Sequence, residues 1–297
     1  GTLTVVAGNG PNTVLLDNST VSGNTGITTG SGVDQITLLD SHLTGALTME
    51  AGNGDNAVLL NTVTVGGNTL ITTGSGVDQF TLLASGLAGA LTVEAGNGDN
   101  AVLLDSLTVG GNALITTGSG ADQITLLDSG LAGALTVEAG NGDNAVLLHT
   151  VTVGGNSVIT TGSGADLITL SESDFLGHLA VDAGAGDDKV WMSRILLARG
   201  AAVQGGEGDD YLYLSARALA GGISLRGNDG NDLIVLDQLP SLTSQQGGPG
   251  VTDRVDVDAG RGVDHIIVNL NAALTSIIVN VHDSDDHGRE NLADVNK

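Results

Sequence analysis

Cysteine is absent from this 297-residue chain, proline occurs three times, and phenylalanine, tryptophan and tyrosine together make up 2%. Without cysteine there are no disulfides, although this alone fixes no compartment. No apolar stretch approaches the roughly 18 residues of a membrane-spanning helix, and no charged-then-apolar signal segment opens the chain. The chain starts at Gly1 without an initiator Met, as expected of a mature product or an excised fragment. Positive charge is missing over a long stretch: all nine Lys and Arg lie between Lys189 and Lys297, and residues 1–188 hold 19 carboxylates. Net charge is −25. Such a surface repels nucleic acid and anionic lipid. It also attracts hard cations, calcium foremost, although acidity alone would keep a repetitive β protein soluble.

What the chain does have is glycine, 47 residues of it, set among 40% hydrophobic residues. The run AGNGPNTVLL at 7–16 returns as AGNGDNAVLL at 51–60, 95–104 and 139–148, alternating with TGSGVDQITLL at 29–39 and its relatives. The second glycine of the phrase falls at 10, 32, 54, 76, 98, 120, 142, 164, 186, 208 and 230, always 22 apart. A further copy at Gly262 comes ten residues late, after an insertion. Near-identity at a step of 44 marks a duplicated two-unit block. Inside each unit apolar residues alternate with period two and are broken by Gly and Asn, a strand–turn–strand pattern without a helical stripe.

Twenty-two residues give a contour of roughly 70 Å, enough for one three-sided coil of short strands. Equal units let each strand pair in parallel with its copy one unit on. Val58, Phe80, Val102 and Ile124 then make one inward ladder, and Leu60, Leu82, Leu104 and Leu126 another. The expected fold is all-β: a parallel β-helix (β-solenoid) of about twelve coils, right-handed because parallel crossovers nearly always are. One solenoid domain is expected over 1–280, regular over 1–182 and divergent over 183–280 with an insertion at 237–254. An acidic tail at 281–297 follows.

The phrases GSGVDQI, GAGDDKV, GEGDDYL and GNDGNDLIV resemble those of secreted bacterial Gly/Asp-rich β-helix proteins, a group that includes the repeats-in-toxin calcium-binding nonapeptides. The resemblance spans nearly the whole chain and implies a secreted or surface protein. Its period differs, 22 residues against nine, so the paired calcium half-sites of that family do not carry over.

The sixth position of each unit is always amide or acid: Asn12, Asp34, Asn56, Asp78, Asn100, Asp122, Asn144 and Asp166, then Asp188, Asp210, Asp232 and Asp264. Carboxylates stacked about 4.8 Å apart would repel by about 3–4 kcal/mol at an effective dielectric near 20, and interleaved Asn halves that. A hydrogen-bonded corner ladder without metal suits the first eight units. After Asp166 the alternation ends, and the stacked acids need neutralising by calcium or by Lys189, Arg194, Arg217 and Arg226. The candidate calcium ligands are Asp166, Asp187, Asp188, Asp209, Asp210 and Asp232. In the tail, DSDDHGRENLAD half-fits a calcium loop through Asp283, Asp285 and Asp294, and the terminal DVNK resembles the start of a dockerin-type loop.

Trp191 and Tyr213 share an outward column with Tyr211 nearby, a candidate ligand or interface surface for a sugar ring or a partner. The alternative is that they pack under the 237–254 segment. Outward threonine pairs such as Thr72-Thr73 recur only every second unit, which interrupts any flat ice-binding array. Near-identical coils cannot each be an active site, and no catalytic spacing is recognisable, so an enzyme such as a polysaccharide lyase or hydrolase is not expected. The opening GTLTVV matches the closing positions of a coil, so the solenoid is entered midway with open strand edges that invite another chain. The expectation is therefore a secreted, extracellular structural repeat protein of a cell surface or filament. It would self-associate head to tail and be stabilised by calcium (Ca2+). The alternative is a calcium-dependent adhesin or carbohydrate-binding module for cell-surface glycans, with no nucleic-acid partner and no membrane insertion.

Overall fold

A computed structural model describes residues 1–240, 254–270, 278–282 and 295–296. Each regular coil carries three strands, as Ala57–Asn61, Thr64–Val65 and Thr69–Thr72 illustrate. The four-residue strands and their successors form one sheet of thirteen strands, and the five- and two-residue strands join in a second sheet of 21. Every recorded pairing is parallel, and through the regular coils each residue faces its copy 22 positions on, as Val58↔Phe80 and Phe80↔Val102 do. The fold is thus the expected all-β parallel solenoid.

Period-two alternation decides which side chains enter the core. Val58, Phe80, Val102 and Ile124 are at most 2% exposed, as are Leu60, Leu82, Leu104 and Leu126. On the opposite sheet Leu47, Thr69, Leu91 and Ala113 stack in one inward column, so large and small side chains alternate along the axis. The two-unit block of the sequence is therefore a packing unit: each bulky leucine fills space left by a small neighbour one coil away.

The corners need backbone that L-residues resist. Gly98 sits at φ +129°, and a Cβ built on it would lie 1.8 Å from the carbonyl oxygen of Gly76 one coil before. Only glycine lets successive corners stack so closely. A second bend, between the five- and two-residue strands, is left-handed too, yet non-glycine residues make it: Thr62 (φ 57°), Ala84 (46°), Ser106 (57°), Asp128 (47°) and Thr150 (56°).

From Lys189 onward the two strands of the second sheet fuse into nine-residue strands, Lys189–Leu197 and Tyr211–Leu219, with a register shift after Ser193. The insertion separates Leu233–Leu239 from Arg254–Arg261, and residues 241–253 lie outside the described set. Register resumes across it, with Leu233 facing His265. Asp283, Asp285 and Asp294 also lie outside the described residues, whereas Val295–Asn296 pair with Val268–Asn269.

Candidate functional site

The amide-or-acid position turns inward at the corner preceding the five-residue strand. Asn56, Asp78, Asn100, Asp122, Asn144, Asp166, Asp188, Asp210 and Asp232 are all at most 2% exposed. They form a ladder with one direction. The backbone N–H of each donates to Oδ1 of the next: Asn56 to Asp78 at 2.8 Å, Asp78 to Asn100 at 3.0 Å, Asn100 to Asp122 at 2.8 Å. The links Asp166 to Asp188, Asp188 to Asp210 and Asp210 to Asp232 continue it at 2.7–2.9 Å. These bonds satisfy main-chain donors that the corner would otherwise bury unpaired.

The second branch of the side chain separates amide from acid. In Asn100 it is Nδ2, which donates to the carbonyls of Gly96 (3.2 Å) and Gly98 (2.9 Å), and Asn56 and Asn144 do the same with their own glycines. The amide also serves the next acid of the stack: Asn12 Nδ2 donates to Oδ1 of Asp34 at 2.8 Å. In the acids the branch is Oδ2, which is buried and makes no hydrogen bond in Asp78, Asp122, Asp166, Asp188, Asp210 and Asp232.

Threonine accompanies the acids of the regular coils. Thr29, Thr73, Thr117 and Thr161 stand five residues before Asp34, Asp78, Asp122 and Asp166, whereas Ala51, Ala95 and Ala139 precede the asparagines. The second residue of each threonine pair therefore faces the corner, not solvent as the sequence suggested. Thr29 and Thr161 are buried, and Thr73 donates to the carbonyl of Ala95 at 2.9 Å. Burial raises the pKa of Asp78, Asp122 and Asp166, while the adjacent threonine hydroxyls and the ladder N–H groups pull in the other direction.

Further along, no hydroxyl precedes the acid: Ala183, Gly205 and Gly227 occupy the place. Burial, followed by repulsion from Asp166, Asp187 and Asp182, pushes Asp188 up to about 7. Asp210 is likewise pushed up to about 7, and Asp232 to about 6.

The six acids singled out as calcium ligands thus divide between two surfaces. Asp166, Asp188, Asp210 and Asp232 point inward with Oδ1 committed to the ladder. Asp187 and Asp209 are exposed and make a second ladder of the opposite sense, their Oδ1 atoms accepting the N–H groups of Asp209 and Asn231 at 2.9 and 2.8 Å. Among the described residues no group of three or more His, Asp or Glu is placed to hold a metal ion. Of the basic side chains named with them, Arg194 pairs with Glu172 and Arg217 with Asp174, both on the surface.

The aromatic residues lie on the outer face of the second sheet. Trp191 faces Tyr213 in register, with ring centroids 4.0 Å apart and planes 12° from parallel, and Tyr211 lies 6.1 Å from Trp191. Tyr213 donates its hydroxyl to Asp237 at 2.9 Å, and Trp191 stays 39% exposed. Exposed Leu167 and Ile267 lie on the same face. No protein-family profile, curated protein or solved structure matches the chain.

Proposed function

We propose that the chain is a structural solenoid, a rigid rod of an extracellular surface or filament that lengthens by stacking coil upon coil. The observation that carries this reading is the open face of the first coil. Among the described residues, Leu3–Val6 and Thr13–Asp17 are paired on one side only, to Thr25–Thr28 and Gln35–Leu39. Val5, Val14, Leu16 and Val21, whose counterparts are buried in later coils, are only partly covered there. Unpaired parallel edges and half-covered core columns suit one occupant, another coil of the same register. That coil is supplied by a second copy of the chain. Light scattering of the 297-residue chain at micromolar concentration tests the reading: concentration-dependent growth supports it, and a monomer at every concentration refutes it. The extracellular placement rests on the Gly-x-Gly-x-Asp phrases and the acidity.

A second reading is favoured by the aromatic face. Stacked Trp191 and Tyr213 beside Asp237 offer a ring surface with an adjoining acceptor, the elements of a glycan-binding platform. Alanine at both positions, followed by a glycan-binding assay, separates the two: binding that is present and then lost favours the platform.

A further inference from the structure

The five-residue strands turn a flat face to solvent that this acidic chain leaves almost free of charge. From Gln35–Leu39 to Leu167–Ser171 their outward positions hold a single acid, Asp105, and no Lys or Arg. The acids stand elsewhere: Glu50, Glu94, Glu138 and Asp182 are exposed on the opposite sheet. In place of charge the face carries leucine. Leu59, Leu83, Leu103, Leu127 and Leu147 zigzag along it, partly exposed, one in each successive coil. Leu15 at 61%, Leu167 at 45%, Trp191 at 39% and Ile267 at 38% continue it toward both ends. Threonine separates the leucines of the central column, in the order Leu59↔Thr81↔Leu103↔Thr125↔Leu147↔Thr169.

A strand about 17 Å long and a row of coils about 50 Å long give this face roughly 850 Å², close to the about 800 Å² that each partner buries in a standard interface. Contiguous apolar surface of that size marks a contact. Its occupant has to be flat, uncharged and as long as the rod, and the surface of that description in this molecule is the face itself. We propose that it is a self-association surface on which two copies of the chain lie side by side, sheet on sheet, with their rods antiparallel. About a two-fold axis along the strands, full overlap sets Leu147 of one copy over Thr125 of the other, and Leu103 over Thr169, large on small as in the core. Parallel rods in full overlap set leucine on leucine instead. The rims oppose the contact: Asp40, Asp128 and Glu172 border the face at the left-handed bend, and Asp55, Asp99 and Asp143 at the glycine corner. Two chains of net charge −25 therefore pair more tightly as salt screens them. The pairing is lateral, so it goes beyond the end-to-end stacking proposed above and does not depend on it.

Sedimentation and small-angle X-ray scattering of the native chain in about 0.5 M sodium chloride, where the Debye length falls to about 4 Å, test this without a variant. The mass should double while the longest dimension stays well under the roughly 120 Å of two rods end to end, the length that end stacking gives. Fluorescence of Trp191, the one tryptophan, should shift to the blue as the pair forms, because the contact covers its exposed ring. The variant L103K/L147K puts charge on the face without touching the core and should stay single, with its circular dichroism unchanged. The variant E94K/E138K, altered on the opposite sheet, should still pair. A native chain that stays single at every salt and protein concentration, as a face kept for a glycan or another protein gives, would overturn the proposal. So would a pair about 120 Å long, or pairing that survives L103K/L147K.

Discussion

Converting Asn100 to aspartate places three acids in succession, Asp78, residue 100 and Asp122, inside the regular coils. Oδ1 survives, so the ladder bond from Asp78 N–H (3.0 Å) can persist, but the two amide donations to Gly96 and Gly98 are lost. Full ionisation would add about 3.5 kcal/mol of repulsion per neighbour, taking about 4.8 Å and an effective dielectric near 20. The column escapes by keeping a proton, which costs an ordinary aspartate about 5 kcal/mol at pH 7.5 and almost nothing at pH 4. That cost caps the penalty. The N100D variant should therefore lose about 3–5 kcal/mol at pH 7.5 and only about 1–2 at pH 4, since the folded state binds the extra proton and stability falls as pH rises. Asn100→Ala removes the acceptor as well, orphaning a buried N–H, and should lose about 2–4 kcal/mol at both pH values. Urea unfolding followed by circular dichroism measures both. An N100D penalty that does not grow with pH would refute the electrostatic account of the alternation.

Other outcomes follow from the same geometry. Gly98→Ala combines a φ of +129° with a 1.8 Å approach to the Gly76 carbonyl and should cost more than about 3 kcal/mol, read as a fall in the urea midpoint. Leu104→Ala, 1% exposed, should cost about 2–5 kcal/mol, whereas Leu15→Ala, 61% exposed, should cost under about 1, a contrast checked by thermal unfolding. Thr150→Asn relieves a β-branched residue at φ 56° and should raise stability by about 0.5–1 kcal/mol in the same assay. Between pH 4 and 7 the native chain should lose up to about 4 kcal/mol for each of Asp188 and Asp210 as the protons they hold when folded are released, read from urea unfolding across that range.

The architecture was legible because the repeat repeats: identical spacing from Gly10 to Gly230 permits only in-register parallel stacking, and the inward ladders of Val58 and Leu60 follow from period two. The corner column was legible as a column. The corner bonds of its second branch were not, because asparagine and aspartate share a shape and differ only in what that branch donates. The inward turn of Thr73 and Thr117 escaped strand alternation because they lie at corners, beyond the strands that set the period. A signal was nevertheless present, since threonine five residues before each acid of the regular coils and alanine before each asparagine alternate in step with them. The left-handed bend at Thr62 and Ala84 carried no glycine to announce it, and stacking against equal bends in neighbouring coils holds it in place.

Electron microscopy of the 297-residue chain tests the structural reading most directly. Thirteen strands spaced by about 4.8 Å make a rod of roughly 60 Å, so end-on stacking should give rods of one width whose lengths grow in steps of about that size with concentration. Particles of a single 60 Å length at every concentration would contradict it.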